Sequence, residues 1–168
     1  MELTNEKIRR KDRVMSDEES LKLLREAEYG VLSINSENGA YGVPVNYAWD
    51  GGSKIYFHGA KAGRKLDLIE KNKNVSFCIV GKTKILREKA GEKQSPCFLS
   101  TAYESVILQG TMELDLSDEE RMHGLGIIIN KFSDGMFTDA KAVNEKMFNA
   151  VKIIGMNIES MTGKSRRE

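Results

Sequence analysis

Three short segments in which apolar and polar residues alternate follow one another closely along the chain. They are VLSIN (31–35), AYGVPVNYAW (40–49) and KIYFHG (54–59), and the turns between them contain Asn38-Gly39 and Asp50-Gly51-Gly52. Alternation with a period of two is typical of strands with one buried face, and Asn-Gly or Asp-Gly pairs favour tight hairpins. Connections this short favour antiparallel pairing over a doubly wound parallel sheet.

A second set of strands is predicted beyond the hairpins, after a short helix. The helix is GRKLDLIEKN (63–72), in which Leu66 and Ile69 have helical spacing. The later strands are VSFCIVG (75–81), STAYESVILQGTMEL (100–114) and IIGMNIES (153–160). The length of the middle one indicates a bulge or bend. We therefore expect one mainly β domain over residues 1–168, of α+β class, with an antiparallel six-stranded barrel and peripheral helices.

Capping boxes predict two of the peripheral helices. Ser16 with Glu19 begins the first, which Gly30 is expected to end, and Ser117 with Glu120 begins the second. Two further predictions are a long exposed loop or hairpin tip over residues 82–96 and a helical pattern over residues 139–151.

Charge and residue inventory exclude several kinds of protein. The 26 basic and 25 acidic side chains leave a formal net charge of +1, which argues against nucleic acid or an anionic membrane as a partner. The N-terminal segment has no apolar stretch of the signal-peptide kind, so a cytoplasmic location is expected. Cys78 and Cys97, with His58 and His123, have neither disulfide-framework nor zinc-site spacing, and we expect Cys78 to be a small buried hydrophobe.

The common nucleotide and hydrolase motifs are missing from the sequence. The tail TGKS has Ile158 where a P-loop requires its first glycine, five positions before Gly163. Gly124 and Gly126 lie in a helical pattern instead of between a strand and a helix, so they do not form a dinucleotide fingerprint. No GxSxG or HExxH sequence occurs.

The junction FHGAKAGRKLDL, where the third strand ends and a helix begins, is a candidate anion site. It supplies Lys61, Arg64 and Lys65 at a helix N-terminus, and Gly59 and Gly63 permit close backbone approach. Free N–H groups, the helix dipole and adjacent cations favour a phosphate dianion. The same residues are also compatible with a solvated helix face.

Two other stretches carry unusual polar features. Pro44 interrupts an otherwise central-looking strand, which predicts an edge or bulge where backbone groups are free for a ligand. The polar run Tyr103, Glu104 and Ser105 interrupts an apolar strand and offers hydroxyl groups to a phosphate or ring carbonyl. Tyr47 and Tyr103 also fit ordinary barrel positions with satisfied hydroxyls.

Taken in order, several pieces of the sequence resemble one family. RRKDR, YGVLS, VPVNYAW, IYFHGAKAGRKLDLIEKN, VSFCIVG, YESVILQG and TGK together are similar to the flavin-nucleotide-binding branch of the pyridoxamine 5′-phosphate oxidase superfamily, especially its nitroimidazole-resistance-like proteins. The similarity extends from about Arg9 to Lys164. It implies a split β-barrel, flavin mononucleotide (FMN) as cofactor and a homodimer with its flavins at the subunit interface.

The resemblance also assigns roles to residues. Gly63, Arg64 and Lys65 match a phosphate-binding Ser-Arg-Lys position, with glycine in place of the serine, and His58 matches a histidine near the reactive face of the flavin. Val43 to Tyr47 match a strand along the isoalloxazine edge. Ser105 matches a flavin-contacting glutamine and is expected to reach the cofactor from the neighbouring subunit or from the adjacent strand. Lys164 is the weakest match. The full expected cofactor-binding set is Val43, Pro44, Val45, Asn46, Tyr47, His58, Gly59, Ala60, Lys61, Gly63, Arg64, Lys65, Tyr103, Glu104, Ser105, Val106 and Lys164.

Three functions follow as hypotheses. The first is an FMN-dependent oxidoreductase that acts on a small molecule, nitroimidazoles included. His58 would then donate a proton or a hydrogen bond, but it also fits a strand-end histidine bonded to a backbone carbonyl. The tail MTGKSRRE lacks the arginine and histidine motif of true pyridoxamine phosphate oxidases, which argues against vitamin B6 oxidation. The second is a flavin or haem carrier without turnover, with His58 or His123 as haem ligand. The third is a structural domain whose cofactor site has decayed.

Overall fold

The computed structural model describes residues 1–87, 99–134, 136–137 and 145–167. The strands are β1 (Glu2–Leu3), β2 (Tyr29–Ser36), β3 (Gly39–Asn46), β4 (Ala48–Trp49), β5 (Lys54–Gly59), β6 (Asn74–Leu86), β7 (Ser100–Glu113) and β8 (Lys152–Arg166). The helices are α1 (Asp17–Glu26), α2 (Arg64–Lys71), α3 (Asp118–Phe132) and α4 (Glu145–Ala150), with 3₁₀ turns at Asn5–Lys7 and Lys11–Arg13.

The strands form one curled sheet in the order β3-β2-β6-β7-β8-β5-β4, and β1 adds to β8. All pairs are antiparallel except β1 with β8, so the predicted antiparallel class is confirmed. The predicted count of six strands is wrong, because the described residues contain eight. The segment 40–49 is broken at Tyr47, whose side chain turns into the core, and β1 had not been predicted.

The inner face of the sheet encloses the main core. Phe77 lies at its centre and is fully buried, with edge-to-face contacts to Tyr47 and Phe57 at centroid distances of 5.0 and 5.4 Å. Leu32 and Leu108 from the flanking strands belong to the same cluster. Inward side chains alternate with outward ones along each strand, so the core also determines which side chains face out.

The predicted irregularity in β7 is confirmed. Its pairing with β8 shifts register between Gln109 and Gly110. A side chain at Gly110 would collide with the carbonyl oxygen of Asn157, so glycine allows the two backbones to approach at the bulge.

The first capping box is present, and the second is only half formed. Ser16 Oγ accepts a hydrogen bond from the Glu19 N–H at 3.2 Å, and the Glu19 carboxylate accepts from the Ser16 N–H at 3.0 Å. Helix α1 ends at Glu26, before Gly30, which lies in β2 instead. Ser117 caps α3, but the carboxylate of Glu120 is bound to Lys54 instead of returning to the cap.

Helix α3 packs closely on the outside of β5. At Gly124 a Cβ atom would lie 2.6 Å from the Tyr56 ring, so only glycine permits this approach. The Lys54 ammonium bridges α3 to β7 by ion pairs with Glu120 and with Glu113, the latter at 2.8 Å. These contacts make α3 a fixed wall beside the end of β5.

The remaining predictions concern the later segments. Strand β6 continues to Leu86, so the start of the predicted loop 82–96 is strand, and the rest lies outside the described residues apart from Arg87. Of the helical pattern 139–151, Glu145–Ala150 is helix and the earlier part is not described. The supposed tail TGKS belongs to β8. No helix in the described part of the chain has the length and apolar character needed to cross a membrane.

Candidate functional site

The junction between β5 and α2 forms an open backbone turn. Gly63 is the N-cap of α2 with φ of +132°, a conformation that favours glycine, and a Cβ there would meet nothing within 4 Å. Its carbonyl oxygen accepts hydrogen bonds from the N–H groups of Leu66 and Asp67 at 2.8 and 3.2 Å. No side chain caps this helix, so its positive end faces outward over the turn.

Lys65, in the first turn of α2, is the unusual cation of the junction. Its side chain is half-buried, and this burial lowers the pKa of its ammonium group. Its Nζ lies 3.4 Å from where a Cβ of Gly59 would be, over the end of β5. Within the described residues, no carboxylate pairs with it. A partly desolvated cation without a counter-ion is a place where an anion binds favourably.

Arg64 and Lys61 extend the positive charge around this turn. The Arg64 guanidinium carbon lies 4.5 Å from the centre of the Tyr41 ring, which places it against β3. Lys61 and its neighbour Ala60 are exposed. Three cations therefore surround the outward end of α2, and only Lys65 is partly withdrawn from water.

A groove of about 410 Å³ begins at the end of β5 and continues along α3. His58 lies on its rim because Phe57, the preceding residue, faces the barrel core and His58 therefore faces out. The apolar wall comes from α3 and the segment after it. The groove is lined by Asn46, His58, Leu125, Ile128, Ile129, Phe132, Ser133 and Phe137. Since Gly59 follows His58, the groove adjoins the cationic turn.

The predicted β3 residues divide between the groove and the core. Pro44 and Asn46 are exposed, and β3 lies at an edge of the sheet, as the proline predicted. Asn46 donates a hydrogen bond to the Glu28 carbonyl oxygen at 3.1 Å. Val43 and Val45 are half-buried and pack against the main core.

Tyr47 is fully buried, and its hydroxyl donates to the Leu24 carbonyl oxygen at 2.6 Å. Burial raises the pKa of this phenol. Its single O–H is therefore used inside the protein, which agrees with a barrel position that has a satisfied hydroxyl.

The β7 residues do not join the groove within one chain. Ser105 faces outward beside its register partner Lys164, and its Oγ donates to the Lys164 carbonyl oxygen at 3.3 Å. Val106 is fully buried in the core, and Glu104 lines a separate cavity next to α1. Strand β8 separates β7 from β5, and β6 and β2 separate it from β3.

The outward face of β2, β6 and β7 carries an exposed apolar row, next to the polar row of Ser33, Ser76 and Gln109; we call the apolar row the apolar face. Val31, Cys78 and Ile107 are register partners across it, and Val31 and Ile107 are 37% and 43% exposed. Cys78 is half-buried here and not in the core, because it alternates with the inward-facing Phe77 and Ile79. Exposed apolar rows of this kind mark interaction surfaces in soluble proteins.

Sequence reasoning missed the wall that α3 contributes to the groove. Leu125, Ile128, Ile129 and Phe132 recur at helical spacing, a signal that could have identified an apolar stripe. It could not show that the stripe faces His58, since that depends on the packing of Gly124 against β5. In the described parts of the chain, no three His, Cys, Asp or Glu side chains form a cluster suited to a metal ion.

Comparison with known proteins identifies one family and one fold. The sequence profile described as pyridoxamine 5′-phosphate oxidase matches residues 16–165. No curated protein matches the chain.

Solved structures with similar folds include three flavin- or resistance-related proteins. A 5-nitroimidazole antibiotic resistance protein of Bacteroides thetaiotaomicron has a TM-score of 0.75 at 21% identity, covering 91% of this chain and 86% of its own. The flavocytochrome Anf3 of Azotobacter vinelandii has a TM-score of 0.72 at 20% identity, and the match covers 96% of this chain and 72% of that protein. The FAD and haem binding protein of Mycobacterium smegmatis has a TM-score of 0.73 at 15% identity, and the match covers 91% of this chain and 72% of that protein. At these identities the likeness shows a shared fold.

Proposed function

The chain belongs to the pyridoxamine 5′-phosphate oxidase family, and from this we propose that it is a homodimeric FMN-binding protein that acts as an oxidoreductase on a small molecule. The FMN phosphate binds at the turn between β5 and α2. The isoalloxazine ring lies toward His58 and the exposed edge of β3. The family supports a flavin-type ligand, and the choice of FMN and the individual contacts are our proposal.

The observation that carries this proposal is the environment of Lys65. A half-buried ammonium without a carboxylate partner has lost hydration without gaining a counter-charge. A phosphate at this point accepts hydrogen bonds from Lys65 and from the free N–H groups of the first turn of α2. Gly59 leaves room beside the ammonium because a side chain there would lie close to Nζ.

Titration with FMN tests the phosphate site. Lys65→Gln is expected to weaken FMN binding by about 10- to 100-fold, because a hydrogen bond to a charged group contributes roughly 1.5–3 kcal/mol. The matched control is Lys71→Gln, which removes the same charge from the other end of α2, where the side chain is 68% exposed. Quenching of flavin fluorescence measures both affinities. Equal affinities for the two variants, or no FMN binding by the wild type, would contradict the proposal.

The homodimer is supported by the apolar face and by the separation of the expected cofactor residues. Val31 and Ile107 offer a second copy a surface for burial, and Ser105 lies near the same face, away from the groove of its own chain. A second copy packed on this face can bring its Ser105 and Lys164 toward the flavin. The two-fold symmetry of a dimer would then complete two equivalent sites.

Sedimentation of charged variants tests the dimer. Ile107→Glu places a carboxylate in the middle of the apolar face and is expected to give a monomer with weaker FMN binding. Ile85→Glu is the control, since Ile85 is 63% exposed and lies beyond the register shift of β6. A dimer that survives Ile107→Glu would show that the apolar face is not the interface.

The oxidoreductase proposal assigns the groove to the substrate. Bound FMN supplies the electron-transfer chemistry, and the protein provides the pocket and access to it. The wall of α3 excludes water from a mainly apolar substrate, and His58 donates a hydrogen bond or proton at the rim. We expect His58→Ala to lower kcat for nitroaromatic acceptors by about 100-fold at constant FMN content. Full turnover by this variant with every acceptor tried would refute the role of His58.

A carrier without turnover is the second candidate, and it includes haem binding. It is favoured by the position of His58 over an apolar groove, which also suits an axial ligand. His123 is exposed and lies edge-on to the Tyr56 ring at 5.9 Å. The absorbance spectrum of the purified protein separates the candidates: flavin bands that bleach with a nicotinamide donor support the enzyme, a Soret band supports haem, and flavin without turnover supports a carrier.

A further inference from the structure

Two phenylalanine rings line the groove beside His58 and remain partly exposed. Phe132, the last residue of α3, is 40% exposed, and Phe137 is 46% exposed. Leu125 and Ile128, from the same wall, are buried. A flat apolar ligand in a concave site removes water from rings of this kind. The two phenylalanines are therefore the part of the wall that a ligand still has apolar surface to bury against.

Phe137 is bound to the end of α3 by Ser133. The Ser133 hydroxyl accepts a hydrogen bond from the Phe137 N–H at 3.2 Å and donates one to the Phe137 carbonyl oxygen at 3.0 Å. The Ser133 carbonyl oxygen accepts from the Met136 N–H at 2.8 Å, and the Ser133 N–H donates to the Ile129 carbonyl oxygen at 2.9 Å. One hydroxyl thus binds both backbone polar groups of Phe137, so the position of this ring depends on Ser133.

The helix that carries Ser133 is itself anchored near the same end. The Lys131 ammonium donates to the Ala27 carbonyl oxygen at the end of α1, at 2.6 Å. Gly124 holds the preceding turns against the Tyr56 ring. Because the base of the wall is fixed, little conformational entropy is lost when a ligand packs against Phe137.

The groove offers a ligand few polar side-chain groups. Its polar lining residues are Asn46, His58 and Ser133, and the hydroxyl of Ser133 is already used by Phe137. The Asn46 amide nitrogen donates to the Glu28 carbonyl oxygen. Among the described lining residues, the His58 imidazole and the Asn46 side-chain oxygen are left for a ligand. This inventory suits a molecule with one polar end and an apolar body.

The charge distribution disfavours an anion in the groove. No Lys, Arg, Asp or Glu is among its described lining residues. Ile129, Phe132 and Ser133 belong to the last turn and the cap of α3, so the negative end of the helix dipole lies at the groove. An anion bound there would lose hydration without gaining a cation.

We propose that Phe137 is a specificity-determining residue of the groove, that Ser133 is the residue that positions it, and that the groove selects uncharged aromatic molecules. As a statement about the substrate, this inference rests on the proposed function. The preference of the groove for a ligand does not require flavin and is measured without it.

The first experiment measures ligand binding by the full chain without added flavin. N-phenyl-1-naphthylamine, an uncharged probe whose fluorescence rises in apolar sites, is displaced by 4-phenylphenol or by 4-phenylbenzoate, which share a biphenyl body and differ in charge. The phenol is expected to displace the probe about tenfold more tightly than the carboxylate. Phe137→Ala and Ser133→Ala are each expected to weaken probe binding by about five- to tenfold, because the ring no longer covers the ligand.

Two further variants separate this role from a general effect on the fold. Ser133→Thr keeps the hydroxyl and is expected to bind the probe within about twofold of the wild type. Met136→Ala removes an exposed apolar side chain next to Phe137 that does not line the groove, and it should also leave binding unchanged. Equal displacement by the two biphenyls, wild-type binding by Phe137→Ala or Ser133→Ala, or an equal loss in Met136→Ala would overturn the inference.

The second experiment uses the FMN-loaded protein and nitrobenzene as acceptor. Phe137→Ala and Ser133→Ala are expected to raise the KM by about five- to tenfold with kcat within twofold, since the ring contributes to binding and not to the chemical step. A loss confined to kcat would contradict a role in specificity. A wild-type protein that binds the uncharged probe through Phe137 but takes up no FMN would overturn the proposed function and leave the selectivity of the groove established.

Discussion

Lys131 is a half-buried lysine whose positive charge costs the folded state free energy. It lies on α3, where its Nζ donates to the Ala27 carbonyl oxygen at 2.6 Å and lies 4.1 Å from the centre of the Tyr47 ring. Burial lowers the pKa of its ammonium group from 10.5 to about 8, and Glu28 offsets only part of the effect. We predict that this cost appears as a pH dependence of stability that Lys131→Met abolishes.

The sign and size follow from proton binding. Below pH 8 Lys131 is protonated in both the folded and unfolded states, so the cost is fully present and constant. Between pH 8 and 10.5 the unfolded chain binds more protons, so the free energy of unfolding rises with pH. The whole shift corresponds to roughly 3 kcal/mol at about 1.4 kcal/mol per pH unit, and partial exposure reduces it to about 1–2 kcal/mol.

Urea unfolding at pH 7 and pH 9.5 measures the effect. The wild type is expected to gain about 0.6–1.2 kcal/mol relative to Lys131→Met over this interval, which covers about 1.5 of the 2.5 pH units between the two pKa values, since methionine does not titrate. Lys71→Met serves as the control, because it removes a lysine whose side chain is 68% exposed instead of a half-buried one. Parallel stability curves for the wild type and Lys131→Met would refute the reasoning.

Three other substitutions test features of the fold. Gly124→Val places its side chain against the Tyr56 ring and is expected to lower the free energy of unfolding by about 2–3 kcal/mol, measured by urea denaturation. Gly63→Ala meets no neighbour but retains a φ of +132°, so it should cost about 1–3 kcal/mol in the same assay without disturbing the core. Lys54→Met should cost about 1–2 kcal/mol at pH 7, because two carboxylates lose their cation. Lys54 holds the pKa of Glu113 below its usual range, so this difference should shrink as pH falls toward 3, and a constant difference would argue against the ion pair.

Local signals predicted much of the fold. The hairpins and the Ser16 capping box depend on residues close in sequence, and both are present. The length of β7 indicated a bulge, but its position at Gly110 follows from pairing with the distant β8. The break at Tyr47 depends instead on a long-range contact, because its hydroxyl reaches the Leu24 carbonyl oxygen. Glu120 departs from its capping box for a similar reason: Lys54, distant in sequence, binds its carboxylate.

The candidate site was predictable only where it is contiguous in sequence. His58 to Lys65 lie on one strand end and the helix that follows, so their proximity follows from the chain itself. The predicted set Glu104, Ser105 and Val106 does not fit one site, because side chains alternate along a strand. Ser105 therefore lies on the opposite face of β7 from its two neighbours. The pairing of the N-terminal β1 with β8 was not predicted either, because no local pattern indicates it.

Strand β8 forms hydrogen bonds with β1, β5 and β7, so three separate parts of the chain depend on it for pairing. On the ribosome, β5 and β7 emerge long before β8 and each has one edge without a partner. Such edges pair readily with other chains, which makes the nascent protein prone to aggregation until β8 is complete. These distant pairings also predict slow folding, because the entropy of loop closure is lost before the stabilising contacts between the strands form. A truncation within β8 should therefore lower the yield of soluble protein far more than the loss of a few surface contacts would suggest.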